Sequence, residues 1–130
     1  MNITSQCIKE EDRSQNLFGI HFPMTLEPVI YTFAERLAEN YSGGYWNFYE
    51  LSNGGFYMAP EDSGIFPVIC DNGYEGDMSA DALGITACLY AYSHLSFDPK
   101  LTEICARHYH LLREFMLDHA EVRTILSATD

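Results

Sequence analysis

The chain has 130 residues, 47% of them hydrophobic and 14% aromatic; this fits one globular domain and excludes a disordered or fibrous protein. Nineteen acidic residues against seven basic ones give a formal net charge of −12, which repels phosphate backbones and argues against direct binding of DNA or RNA. No apolar run approaches the roughly 20 residues of a membrane span, so no membrane contact is expected.

Residues 1–16 are polar, charged and aperiodic and read as a flexible N-terminal arm. They lack the basic start and apolar middle of a secretory signal, which predicts a cytoplasmic protein. Residues 17–130 read as a single domain. Leu17–Met24 is apolar but short, an edge strand or an extended segment docked on the core. Leu26-Glu27-Pro28 then opens a helix, with proline in the first turn and Glu27 at the positive end of the dipole. Val29, Ile30, Phe33, Leu37 and Tyr41 form its apolar stripe, and Ser42-Gly43-Gly44 ends it.

The stretch Tyr41–Pro60 holds the only Trp and four of the nine Tyr, broken by two Gly-Gly pairs. It predicts a β-hairpin. Asn53-Gly54 suits a two-residue type I′ loop, since both residues tolerate positive φ. That loop sets Leu51 against Phe56, Glu50 against Tyr57 and Tyr49 against Met58. Both faces are then largely apolar, so either helices cover both or an aromatic patch is exposed.

Ile65–Cys70 and Tyr74–Met78 predict a second hairpin. A two-residue loop would mix Val68 and Cys70 with Glu75 and Asp77 on one face. A three-residue loop, Asp71-Asn72-Gly73 with Gly73 left-handed, instead aligns Phe66, Val68 and Cys70 with Tyr74, Gly76 and Met78. Ser79 reads as the N-cap of a helix whose Leu83, Ala87, Ala91 and Leu95 are lined by small residues, Gly84 and Cys88 among them. Asp98-Pro99 opens a further helix with Leu101, Cys105, His108, Leu112 and Met116 on its apolar face, and Asp118 is placed to cap a last one carrying Val122, Ile125 and Leu126. The expected class is α+β: an antiparallel β-meander of two hairpins, three to four strands, packed with about four helices.

Chemistry is hard to find in this pattern. Cys7, Cys70, Cys88 and Cys105 are too widely spaced for a zinc knuckle or redox pair and are expected to be reduced. His21, His94, His108, His110 and His119 form no metal-binding spacing, and His108 reads as a satisfied core residue. There is no nucleophile elbow and no phosphate loop. No catalytic residue, metal or cofactor is therefore expected. Scattered carboxylates also argue against a charge mimic of DNA.

Tyr41–Pro60, together with Asn72–Ile85 and with Tyr109–Phe115 followed by Asp118-His119, closely resembles the ArdB/KlcA antirestriction family, as do Glu27 and Tyr31 ahead of the hairpin. The resemblance implies a bacterial protein of plasmids, mobile elements or their hosts that protects incoming DNA from type I restriction enzymes without being an enzyme. Its partner is then a type I restriction-modification enzyme or a host factor controlling it, and the chain itself is a monomer or weak dimer. Trp46, Glu50, Asn53, Tyr57, Glu75 and Asp77, on the two hairpins, are the expected contact surface, since exposed aromatics and charges on rigid strands carry recognition. The alternative is a small hydrolase or metal-dependent enzyme acting on DNA or on the restriction complex.

Overall fold

A computed structural model describes residues 3–8, 18–19 and 21–130. Among the described residues the fold is α+β, with four α-helices and two antiparallel sheets. Strands β1 (Ser5–Ile8), β2 (Trp46–Leu51) and β3 (Phe56–Pro60) form one sheet in that order, while β4 (Ile65–Ile69) and β5 (Glu75–Ser79) form a second. The helices are α1 (Glu27–Leu37), α2 (Ala80–Leu95), α3 (Thr102–Met116) and α4 (Val122–Thr129). Among the described residues no helix is long and apolar enough to cross a membrane.

The first difference from expectation lies in the N-terminal stretch. Ser5–Ile8 is a strand rather than part of a flexible arm, pairing Cys7 with Tyr49 and Gln6 with Glu50. Ser5, Gln6 and Cys7 are exposed, so this edge strand is held by its backbone and needs no apolar alternation. Residues 1–2 and 9–16 of the arm lie outside the described residues. In the apolar stretch that follows, Phe22–Leu26 forms a π-helical turn leading directly into α1, not a strand. Phe22 is buried and packs edge-on against Phe48 at 5.6 Å and Phe56 at 5.7 Å. Helix α1 stops at Leu37, a turn before Tyr41, because Ala38 is extended and bridges Val68 of β4.

The first hairpin is shifted by one residue from the expected register. Glu50 pairs with Phe56, Tyr49 with Tyr57 and Phe48 with Met58. The loop has three residues, Ser52-Asn53-Gly54, closed by Leu51 N–H to Gly55 O at 2.8 Å and Gly54 N–H to Leu51 O at 3.0 Å. Only Gly54 takes positive φ, +92°. Asn53 does not take positive φ, and its amide is engaged: Oδ1 accepts from Gly55 N–H at 2.9 Å and Nδ2 donates to Leu111 O of α3 at 2.9 Å. The second hairpin has the three-residue loop expected, with Ile69 paired to Glu75, Cys70 N–H bonded to Tyr74 O at 2.9 Å, and Gly73 at φ +92°. Asn72 repeats the pattern of Asn53, accepting from Tyr74 N–H and donating to carbonyls at the end of α4, 2.9 Å from Ser127 O.

Helix α2 is the centre of the core. Ala80, all of Ala82–Leu89, Ala91, Tyr92 and Leu95 are buried, which explains why its apolar residues show no single stripe. It lies along the free edge of β3, where residues at four-residue spacing meet the strand backbone. Gly84 sits against Met58 and Ala59 with no room for a side chain. The Cys88 Sγ stands 3.5 Å from Met58 N and 3.7 Å from Met58 O, and the Tyr92 hydroxyl donates to Phe56 O at 2.7 Å. A buried helix thus satisfies the groups that a further strand would otherwise take.

Candidate functional site

The start of α2 gathers polar side chains from three parts of the chain. Ser79 caps the helix as expected, its Oγ accepting from Ala82 N–H at 3.1 Å. That cap holds Asp81 in the first turn, where a carboxylate is favoured by the helix dipole. The Oδ1 of Asp81 accepts from the Tyr57 hydroxyl on β3 at 2.7 Å, and its Oδ2 lies 2.8 Å from Nε2 of His119, in the connection between α3 and α4. His119 Nδ1 in turn accepts from Glu121 N–H at 2.9 Å. The Glu121 carboxylate accepts from Ser79 N–H at 2.9 Å and from the Ser79 hydroxyl. Asp118, expected to cap α4, is exposed; the contact of His119 with Glu121 N–H organises that helix start.

These contacts set the protonation states. Burial would raise the Asp81 pKa, but hydrogen bonds from His119 and Tyr57 outweigh it and hold the carboxyl below its ordinary value. The bond to Asp81 raises the His119 pKa, against the opposing effect of burial. Tyr57 is pushed far above the ordinary tyrosine value, first by burial and then by Asp81. Tyr49 stacks on Tyr57 at 4.7 Å, and Phe115 of α3 stacks at 5.7 Å. Next to this network is an open cleft of about 390 Å³, lined by Asn47, Tyr49, Glu61, Asp62 and Asp81 among others. Its carboxylates favour cations over phosphates.

Both nitrogens of His119 are engaged within the fold, Nε2 by Asp81 and Nδ1 by the Glu121 N–H. We expect Tyr57→Phe to cost about 1 kcal/mol, below the usual worth of a bond to a charged group because the Asp81 side chain is 39% exposed. In the parent, stability from Asp81 is present above its unfolded pKa and lost as pH falls through its lowered folded pKa. Tyr57→Phe should move that acid-side loss to higher pH, read from denaturation midpoints between neutral and acidic buffers. Equal midpoints for both proteins at every pH would show that the hydroxyl contributes nothing.

The residues expected to form a contact surface are not one surface. Trp46 is buried, its Nε1–H donating to the Tyr41 hydroxyl at 2.8 Å and its ring edge-on to Tyr31 at 5.2 Å. Tyr57 is also buried. Both were expected at the surface, but each has a core position that satisfies its polar atom. Glu50 is half-buried beside β1, and Asn53 is fastened to α3. Glu75 and Asp77 are exposed on β5, in the other sheet. Asp81 and His119, 38 residues apart, were not anticipated as a pair; no local spacing signals it.

Comparison with known proteins supplies what this geometry alone does not. Residues 39–130 match the family described as antirestriction protein. The antirestriction protein KlcA of Escherichia coli is 43% identical over 137 residues, covering 98% of this chain and 94% of its own. YafX of E. coli K12 is 44% identical over 110 residues, covering 82% of this chain and 72% of its own. A solved structure from work on KlcA and ArdB superimposes with a TM-score of 0.90 at 36% identity, covering 100% of this chain and 96% of that one. That work describes a novel fold and antirestriction activity against type I DNA restriction systems in vivo but not in vitro.

Proposed function

The chain belongs to the antirestriction protein family, and on that premise we propose that it counteracts type I restriction-modification systems in the bacterial cytoplasm, protecting incoming plasmid or mobile-element DNA by protein–protein contact. The observation carrying this reading is the full-length structural match to the KlcA and ArdB work. A second, local observation bears on mechanism: exposed acids lie on α1 (Glu35), after β3 (Glu61, Asp62), on β5 (Glu75, Asp77) and on α3 (Glu103, Glu114). Carboxylates on so many separate elements suit a solvated surface better than a decoy of a phosphate backbone. For KlcA and ArdB the activity is described in vivo but not in vitro. A direct inhibitor of the restriction enzyme would act in both settings, so the contact proposed here is with a host factor controlling the enzyme.

The test is survival of unmodified phage or plasmid DNA in cells with an active type I system, with and without this chain. Expression should raise survival of unmodified DNA and leave modified DNA unchanged, while DNA cleavage by the purified restriction enzyme proceeds in its presence. Unchanged survival with folded protein present would overturn the antirestriction reading. Inhibition of the purified enzyme would instead point to direct contact, and steep loss of that inhibition with salt to a charge decoy. A hydrolytic role would centre on Asp81 and His119; a folded Asp81→Asn variant is expected to protect like the parent.

A further inference from the structure

We propose that the outward face of the β4–β5 hairpin docks an amphipathic helix of a partner protein, one presenting apolar side chains flanked by lysine or arginine. This deepens the protein-contact reading above and rests on it. Along β4, burial alternates strictly: Phe66 and Val68 point inward, while Ile65, Pro67 and Ile69 are exposed. Both isoleucines are 60% exposed, a costly arrangement for a surface with no other use. On β5 two exposed acids stand opposite part of this row, with Pro67 paired to Asp77 and Ile69 to Glu75, while Ile65 pairs with Ser79. The face is therefore an apolar row beside an acidic row.

Beside β4 the row opens into a groove of about 390 Å³ between the strand and the end of α1, lined by Leu37, Pro67 and Ile69 with Arg36, Glu39 and Asn40 at its polar side. The strand edge there is closed, since Val68 bridges Ala38 and Asn40 Nδ2 donates to Ile65 O at 3.3 Å. An incoming segment meets side chains rather than free backbone groups, which favours a helix over an added strand. Four strand steps from Ile65 to Ile69 span roughly 13 Å, the rise of about eight or nine residues of helix. Charge then selects the occupant. A second copy of this chain would bring its own net charge of −12, and an anionic membrane or a nucleic acid is repelled in the same way. A basic flank is what Glu75 and Asp77 attract.

The test uses the full chain, isotope-labelled, with a synthetic helical peptide carrying leucines at i, i+4 and i+7 and lysines beside them. A matched peptide has glutamates in place of the lysines. Two double variants, Ile65→Ser with Ile69→Ser and Glu75→Lys with Asp77→Lys, change only exposed side chains, and unchanged melting confirms their fold. The lysine peptide should shift amide signals of β4 and β5, and binding should weaken roughly tenfold for each isoleucine lost. Charge reversal should weaken the lysine peptide and strengthen the glutamate one. Absence of binding, signals shifted elsewhere, or concentration-dependent self-association through this face would each overturn the proposal. The cell assay separates the two readings. Should the parent protect and both variants protect equally, the antirestriction reading stands and this face is not the contact. Where the parent itself gives no protection, the antirestriction reading falls and the peptide data still decide the face.

Discussion

Replacing Gly84 by alanine is expected to destabilise the protein by about 2–3 kcal/mol, towards the upper end of what overpacking costs. Two effects compete. Alanine in a helix is better than glycine by about 1 kcal/mol, so at an open position the change would stabilise. Here a Cβ would stand 2.4 Å from Met58 O, 2.4 Å from Ala59 Cβ and 2.5 Å from Ala59 Cα. Two of those three atoms are backbone and cannot swing aside. Helix α2 would have to retreat from β3, loosening the Cys88 and Tyr92 contacts to Met58 and Phe56 as well. The steric term therefore wins, and the midpoint of thermal unfolding should fall by roughly 10 °C. A Gly84→Ala protein that melts at or above the parent temperature would show that the helix does not rest on the strand as described.

Acidification from pH 7 to pH 5 should cost the parent about 2 kcal/mol through His108 alone, and His108→Phe should abolish that component. The ring is buried between Phe18 at 4.6 Å and Tyr92 at 5.8 Å, and its Nδ1 has no hydrogen-bond partner among the described residues. It is a core residue, as its place on the α3 stripe suggests, but not a satisfied one. Burial, helped by the charge of Arg107, pushes its pKa down to about 4. The unfolded chain binds a proton near pH 6.5, so between those values the unfolded state holds more protons. Stability consequently rises with pH through that window and falls on acidification. His119 runs the other way: its raised folded pKa gives stability that is present at low pH and lost as pH rises. The difference between parent and His108→Phe isolates the buried ring, because phenylalanine keeps the aromatic packing without a titrating nitrogen. Parallel stability–pH curves for the two proteins between pH 7 and pH 5 would refute the assignment.

The two hairpins show what a sequence can and cannot specify. In the second, Glu75 and Asp77 must avoid the face of Val68 and Met78, so charge decides the loop length and the structure agrees. In the first, both faces are apolar and a shift of one residue violates nothing in the pattern. The Asn53-Gly54 pair then suggests a type I′ turn, while the folded chain uses Asn53 to tie the loop to Leu111, a contact 58 residues away. The same logic applies to the site. Ser79 and Asp81 at the head of α2 were legible from local rules, whereas Tyr57 and His119 reach Asp81 only because β3 and the α3–α4 connection converge there. Trp46 and Tyr57 looked like recognition aromatics because an aromatic-rich strand reads alike whether water or a helix lies above it. Glu75 and Asp77 are the members of the expected surface that the fold leaves exposed.

The seating of α2 along β3 also limits how this molecule can join others. With Phe56 O and both polar groups of Met58 already occupied from within, that side of the sheet offers no template on which a stranger's backbone could zip. Runaway fibre growth from this rim is barred by the protein's own interior, and a companion that meets it there is left to recognise sculpted relief and charge.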